Sequence, residues 1–196
     1  MASTAQSARN DLAFMKSVIE DRGPLPWFFG AHLFAVGTIF GLNLLAGAVV
    51  VWPSAIWSWL PATLVYVPVW FLINARSDYG AMGPSARVFG AVWMAVFLMT
   101  LTIVASLIVA DIETRVTYAL IWPSIACALY GGAWTVGALI RRRGWMALVA
   151  LGCFATAIAC AAFVGRPQML LVLGVALLAV FAAPGLVLMR LARRSR

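Results

Sequence analysis

Apolar residues in this chain neither alternate nor mark out one face of a helix over most of its length; they run in long unbroken blocks. Six such blocks stand out, at residues 27–51, 53–74, 88–110, 123–140 (or from 116), 145–164 and 169–189. Each is close to the ~20 residues a helix needs to cross a hydrocarbon layer ~30 Å thick. Backbone groups in lipid must find partners within their own segment, which favours helices. A membrane barrel would instead show short strands of alternating polarity. The pattern therefore predicts an all-α polytopic membrane protein. Its six-helix transmembrane bundle spans residues 27–189, preceded by a segment at 1–26 and followed by a short basic stretch at 190–196.

The first 26 residues follow a different rule. In "SARNDLAFMKSVIEDRG", Leu12, Phe14, Met15, Val18 and Ile19 share one broad helical face, and Arg9, Lys16, Ser17, Glu20 and Asp21 share the other. Ser7 or Asn10 can cap this helix, and Gly23, Pro24 and Pro26 end it. The pattern predicts an amphipathic helix lying in the membrane interface, either a surface anchor or a docking helix. Acidic residues interrupt it, so it does not read as a secretory signal.

Composition agrees with a life in lipid: 64% of residues are hydrophobic, 10% are charged and mean hydropathy is +0.99. The charges add an orientation. With the amino terminus inside, Arg9, Lys16, Arg22, Arg76, Arg87, Arg141, Arg142, Arg143, Arg190, Arg193, Arg194 and Arg196 fall on the cytoplasmic side, leaving only Arg115 and Arg166 outside. This places both termini in the cytoplasm. It reads the net charge of +8 as topology and attraction to anionic lipid headgroups, not as affinity for nucleic acid. The excess of Arg over Lys points to a GC-rich bacterial genome, hence to a bacterial inner membrane.

That topology gives meaning to a repeated tripeptide. Trp-Pro-Ser occurs in "VWPSAIW" (51–57) and "IWPSIAC" (121–127), where the chain re-enters the membrane from outside, and Pro167 marks the last re-entry. Proline suits a first helical turn, and Trp suits headgroup depth. A shift of seventy residues carries the first two spans onto the next two, but similarity decays at once around the tripeptide, so chance recurrence and a true repeat both stay open.

Candidate chemistry is sparse. No Asp, Glu, Lys or Arg falls centrally in any span, which disfavours proton- or sodium-coupled transport. Cys127, Cys153 and Cys160 belong to no CxxC or His-Cys pattern and read as small core residues, and His32 is the only histidine, so no metal site, haem or other cofactor is expected. The few loop acids, Asp78 on one side and Asp111 and Glu113 on the other, cannot form one active site, and a non-enzymatic protein is expected.

What remains are polar stripes. His32 and Asn43 share a face of the first span, and Gly37 and Gly41 form a GxxxG step roughly opposite, a candidate helix-packing interface. Thr63, Tyr66, Trp70 and Asn74 line up on the second span, which Pro68 interrupts; Thr102 and Ser106 lie on the third. Ser124, Cys127, Gly131 and Thr135 line the fourth, and Cys153, Thr156 and Cys160 the fifth. The last span has no polar side chain between Met169 and Met189 and reads as a peripheral, lipid-facing element.

Two functions fit. One is an accessory, sensory or assembly protein that binds a membrane-protein partner or a second copy through helix faces. The other is a small transporter, channel or binding protein for a neutral or amphipathic molecule, with His32, Asn43, Tyr66 and Thr156 lining a cavity. The first expects dry packing among the stripes, the second a continuous cavity reaching them.

Overall fold

The computed structural model describes residues 2–20, 25–49, 55–77, 82–114 and 118–194. Among the described residues every regular element is helical: α1 (Ala2–Glu20), α2 (Trp27–Gly47), α3 (Ala55–Ala75), α4 (Pro84–Thr114), α5 (Trp122–Arg141), α6 (Gly144–Ala162), α7 (Gln168–Leu177) and α8 (Ala183–Arg194). A π turn, Leu178–Ala182, joins α7 to α8. Five stretches are long and apolar enough to cross a membrane: Trp27–Gly47, Pro84–Ala110, Trp122–Arg141, Gly144–Ala162 and Gln168–Arg194. The apolar stretch Trp59–Ala75 is shorter.

Local chemistry sets the ends of these helices. Pro26 stands at the N-cap of α2, Pro84 is the first residue of α4, and Pro123 occupies the first turn of α5, positions where a missing N–H leaves no bond unmade. A short 3-10 turn, Tyr118–Ile121, leads into α5. The second Trp-Pro-Ser thus marks a helix start; the first copy, Trp52 to Ser54, lies outside the described residues, as do Asp21, Arg22, Gly23, Pro24, Asp78, Arg115 and Arg196. α5 and α6 form a tight hairpin in which Arg142 takes the left-handed conformation (φ 50°, ψ 42°). α4, at 31 residues, is about 46 Å long, well beyond the hydrocarbon thickness.

The helix expected at the periphery is the hub. α7, the π turn and α8 pack along the whole of α2, and α7 also meets α6. Polarity was the wrong guide here, because helix contact in lipid depends on how closely backbones approach, and small residues permit that. A Cβ on Gly37 would lie 2.3 Å from the backbone nitrogen of Ala182, and one on Gly185 would lie 2.4 Å from that of Phe34. Gly30 faces the Gly185 carbonyl, and Gly41 faces that of Gly174. The π turn sits at this crossing. Pro184 has no N–H and its ring would crowd the Val180 carbonyl, and a widened turn just before it relieves both.

The periphery is made by α3, which packs on α2, and by α4. Apart from the first turns of α4 and one seam, its residues are exposed, with Met94, Phe97, Leu98 and Leu101 facing outward. α3 packs on α2 through Phe28, Ala31, Ala35 and Ile73, and it runs unbroken past Pro61 and Pro68. α1 rests against α4 and α5, with Leu12, Phe14 and Met15 exposed and Lys16 paired to Glu20 at 3.9 Å.

Besides the α2–α3 seam, the interior holds two further clusters. One gathers Leu25, Leu33, Phe89, Trp134, Met146, Val180, Phe181 and Leu188 at the end where α2, α4 and α6 begin. The other gathers Leu44, Cys127, Cys160, Met169 and Leu173 toward the opposite end. All three cysteines are buried free thiols.

Candidate functional site

α2 and α3 bring together two of the side chains singled out by the sequence. The Tyr66 hydroxyl lies 3.3 Å from Nδ1 of His32, 34 positions away in the chain. Asn74, two helical turns beyond Tyr66, also comes within reach of the imidazole, while its Nδ2 donates to the Trp70 carbonyl at 2.8 Å. His32 and Tyr66 are both half-buried, and the Phe40 ring packs edge-on against Tyr66 at 5.8 Å. Tyr66 and Asn74 stand about 12 Å apart along α3, and their common partner on α2 bridges that interval. The group contains a hydroxyl, an amide and an imidazole but no carboxylate. It can fasten one helix to another or present a donor and an acceptor to a neutral molecule.

The other expected cavity residues stand apart. Asn43 lies on α2 about 16 Å further along than His32, half-buried, with an interaction of its own. Thr156 is buried on α6, where its hydroxyl donates to the Gly152 carbonyl at 2.7 Å. The same local bond recurs along the other stripes: Thr63 to Trp59, Thr100 to Val96, Thr102 to Leu98, Ser106 to Thr102 and Thr135 to Gly131. A hydroxyl that bonds the carbonyl one turn back is satisfied inside its own helix and places no demand on a neighbour or on water. Gly37 and Gly41, expected at a packing interface, face the last span within the chain.

Two features escaped the sequence reading. The first is an aromatic core in which Trp93 touches Phe29 (5.7 Å), Tyr130 (5.3 Å), Trp134 (5.6 Å) and Phe181 (6.1 Å), so that α2, α4, α5 and the π turn meet at one ring. Among the described residues the buried indole nitrogens of Trp93 and Trp134 meet no hydrogen-bond acceptor, and each ring packs edge-on against other rings. Aromatic residues at irregular spacing on separate spans gave no one-dimensional signal of this cluster.

The second is Arg141. Among the triplet it alone is buried, and its Nη1 donates to Oγ of the fully buried Ser85 at 2.8 Å, tying the end of α5 to the start of α4. Arg142 and Arg143 are exposed. A run of three arginines reads as a solvated loop, and only the helical register separates the first from the others.

Among the described residues no group of three or more His, Cys, Asp or Glu is placed to hold a metal ion. The chain matches no protein-family model, no curated protein and no solved structure.

Proposed function

We propose that this chain is a non-enzymatic membrane protein that works as an accessory or assembly partner through helix contacts. Five apolar spans make it a helical membrane protein by length and composition. In this reading α3 completes a sixth crossing, and the basic ends of the helices, with both termini, lie in the cytoplasm of a bacterial cell. α1 lies in the interface with Leu12, Phe14 and Met15 turned to lipid.

The observation that carries the proposal is the local use of polar side chains inside the spans. Hydroxyls on α3, α4, α5 and α6 bond carbonyls of their own helices, and the interior between the helices is aromatic and aliphatic. A permeation path needs polar groups turned toward a shared space. Here the hydroxyls just named are spent on the helices that carry them, and His32 and Tyr66 on each other. α4 meanwhile offers a long apolar face, Met94, Phe97, Leu98 and Leu101, with little packing inside the chain, available to a second copy or another membrane protein.

Single photo-crosslinkers at Leu98 and Leu101 test this in native membranes, with the still more exposed Leu148 and Leu151 on α6 as controls. Discrete adducts of defined mass at the α4 positions alone are expected. Adducts at neither pair, together with a small molecule that raises the melting temperature unless His32 and Tyr66 are replaced, would instead favour the binding-protein reading. A reporter fused after Arg196 checks the orientation, and periplasmic activity there overturns it.

A further inference from the structure

Trp27, Arg76, Ala192 and Arg193 line a recess of about 290 Å³ where α2 begins and α3 and α8 end. Cations are favoured at helix C-termini, which accounts for a basic residue at the end of α3 and another at the end of α8. It does not account for their convergence on one hollow. Two guanidinium groups lining a common space repel each other, and among the described residues no carboxylate lines it with them. Trp27 adds an amphipathic ring of the kind found at headgroup depth, and it opens α2, whose positive dipole end lies at the same place.

We propose that this recess is a seat for one phosphate group, carried by the headgroup of an anionic lipid. Guanidinium groups bind phosphate oxygens through paired N–H bonds, and two of them from separate helices can grip one phosphate from both sides. The volume admits a headgroup and leaves the acyl chains outside, along the exposed surface of α3, where Phe71 and Leu72 face outward. Occupancy would also bridge the ends of α3 and α8, two helices that are each packed on α2. The proposal is independent of the accessory role, since either function is compatible with a bound lipid.

The full chain, purified in a mild non-ionic detergent, is titrated with phosphatidylglycerol, with phosphatidylcholine and separately with inorganic phosphate, and adducts are counted by native mass spectrometry. One tightly held phosphatidylglycerol is expected. Arg76→Gln or Arg193→Gln alone should weaken it about fivefold and the double variant about thirtyfold. Arg142→Gln/Arg143→Gln, on another exposed turn, should leave it unchanged. Equal loss in that control pair overturns the proposal in favour of diffuse attraction, and equal retention of phosphatidylcholine overturns it as well. Displacement by millimolar inorganic phosphate keeps the recess as a phosphate site but overturns the lipid assignment. Both arginines are exposed, so folding should survive; a melting curve for each variant checks this, and Trp27→Leu provides a further variant that keeps both charges.

Discussion

Replacing Gly37 with alanine adds one methyl group at the tightest point of the bundle. Its carbon would lie 2.3 Å from the Ala182 nitrogen, 2.7 Å from the Leu177 carbonyl oxygen and 2.9 Å from the Ala182 α-carbon. Ordinary contact begins near 3.4 Å, so α2 and the last span must part by about 1 Å, and backbone cannot rotate away as a side chain can. A gap of that size forfeits a quarter to a half of the dispersion attraction across each affected pair. Overpacking of this kind costs about 1–3 kcal/mol, and backbone obstruction favours the upper part of that range. Gly90 and Gly132 supply the control, because a Cβ at either meets nothing within 4 Å. Alanine there should be neutral or stabilise by up to about 1 kcal/mol through helix propensity. Unfolding of each variant in mixed micelles of rising dodecyl sulfate fraction, followed by circular dichroism, gives the comparison. If Gly37→Ala unfolds at the same fraction as Gly90→Ala, the close crossing described for α2 is wrong.

Three further outcomes follow from named contacts. His32→Leu and Tyr66→Phe should each lower stability by about 0.6–1.7 kcal/mol, and the double variant by less than the sum, as measured by a double-mutant cycle in the same micelles; strict additivity refutes the shared bond. Ser85→Ala removes a charge-assisted bond from buried Arg141 and should cost about 1.5–3 kcal/mol by the same assay, against no change for Ser106→Ala, whose hydroxyl bonds only its own helix. Ser124 has a buried hydroxyl that finds no partner among the described residues, so Ser124→Ala should be neutral or stabilising by up to about 1 kcal/mol in thermal melts; a loss beyond that shows the hydroxyl is engaged.

The positions of five spans were legible because lipid imposes a length and a uniform polarity, two properties that one dimension can display. The blocks at 123–140 and 145–164 fall within a few residues of α5 and α6, and Pro123 sits in the first turn as its chemistry demands. His32 and Tyr66 were visible as polar exceptions in apolar surroundings, and the structure places them together. The position of the last span was not legible by polarity. Gly174, Ala182 and Gly185 carried the relevant signal, spacing that lets backbones approach, and Pro184 marked the π turn. Thr156 drew notice for its hydroxyl, yet a hydroxyl can be satisfied by the carbonyl one turn back, and composition cannot distinguish the two uses.

The reliance of α2 on the last span also bears on how the protein is made. About 120 residues separate Gly47 from Gln168, so at ordinary elongation rates of ~5–20 residues per second α2 waits roughly 6–24 s for its principal neighbour to emerge. During that interval its glycine stripe is solvated by acyl chains, a groove open to any other helix in the bilayer. Assembly is therefore a race between synthesis and stray association, and slowing translation between residues 48 and 167 would lengthen the time at risk.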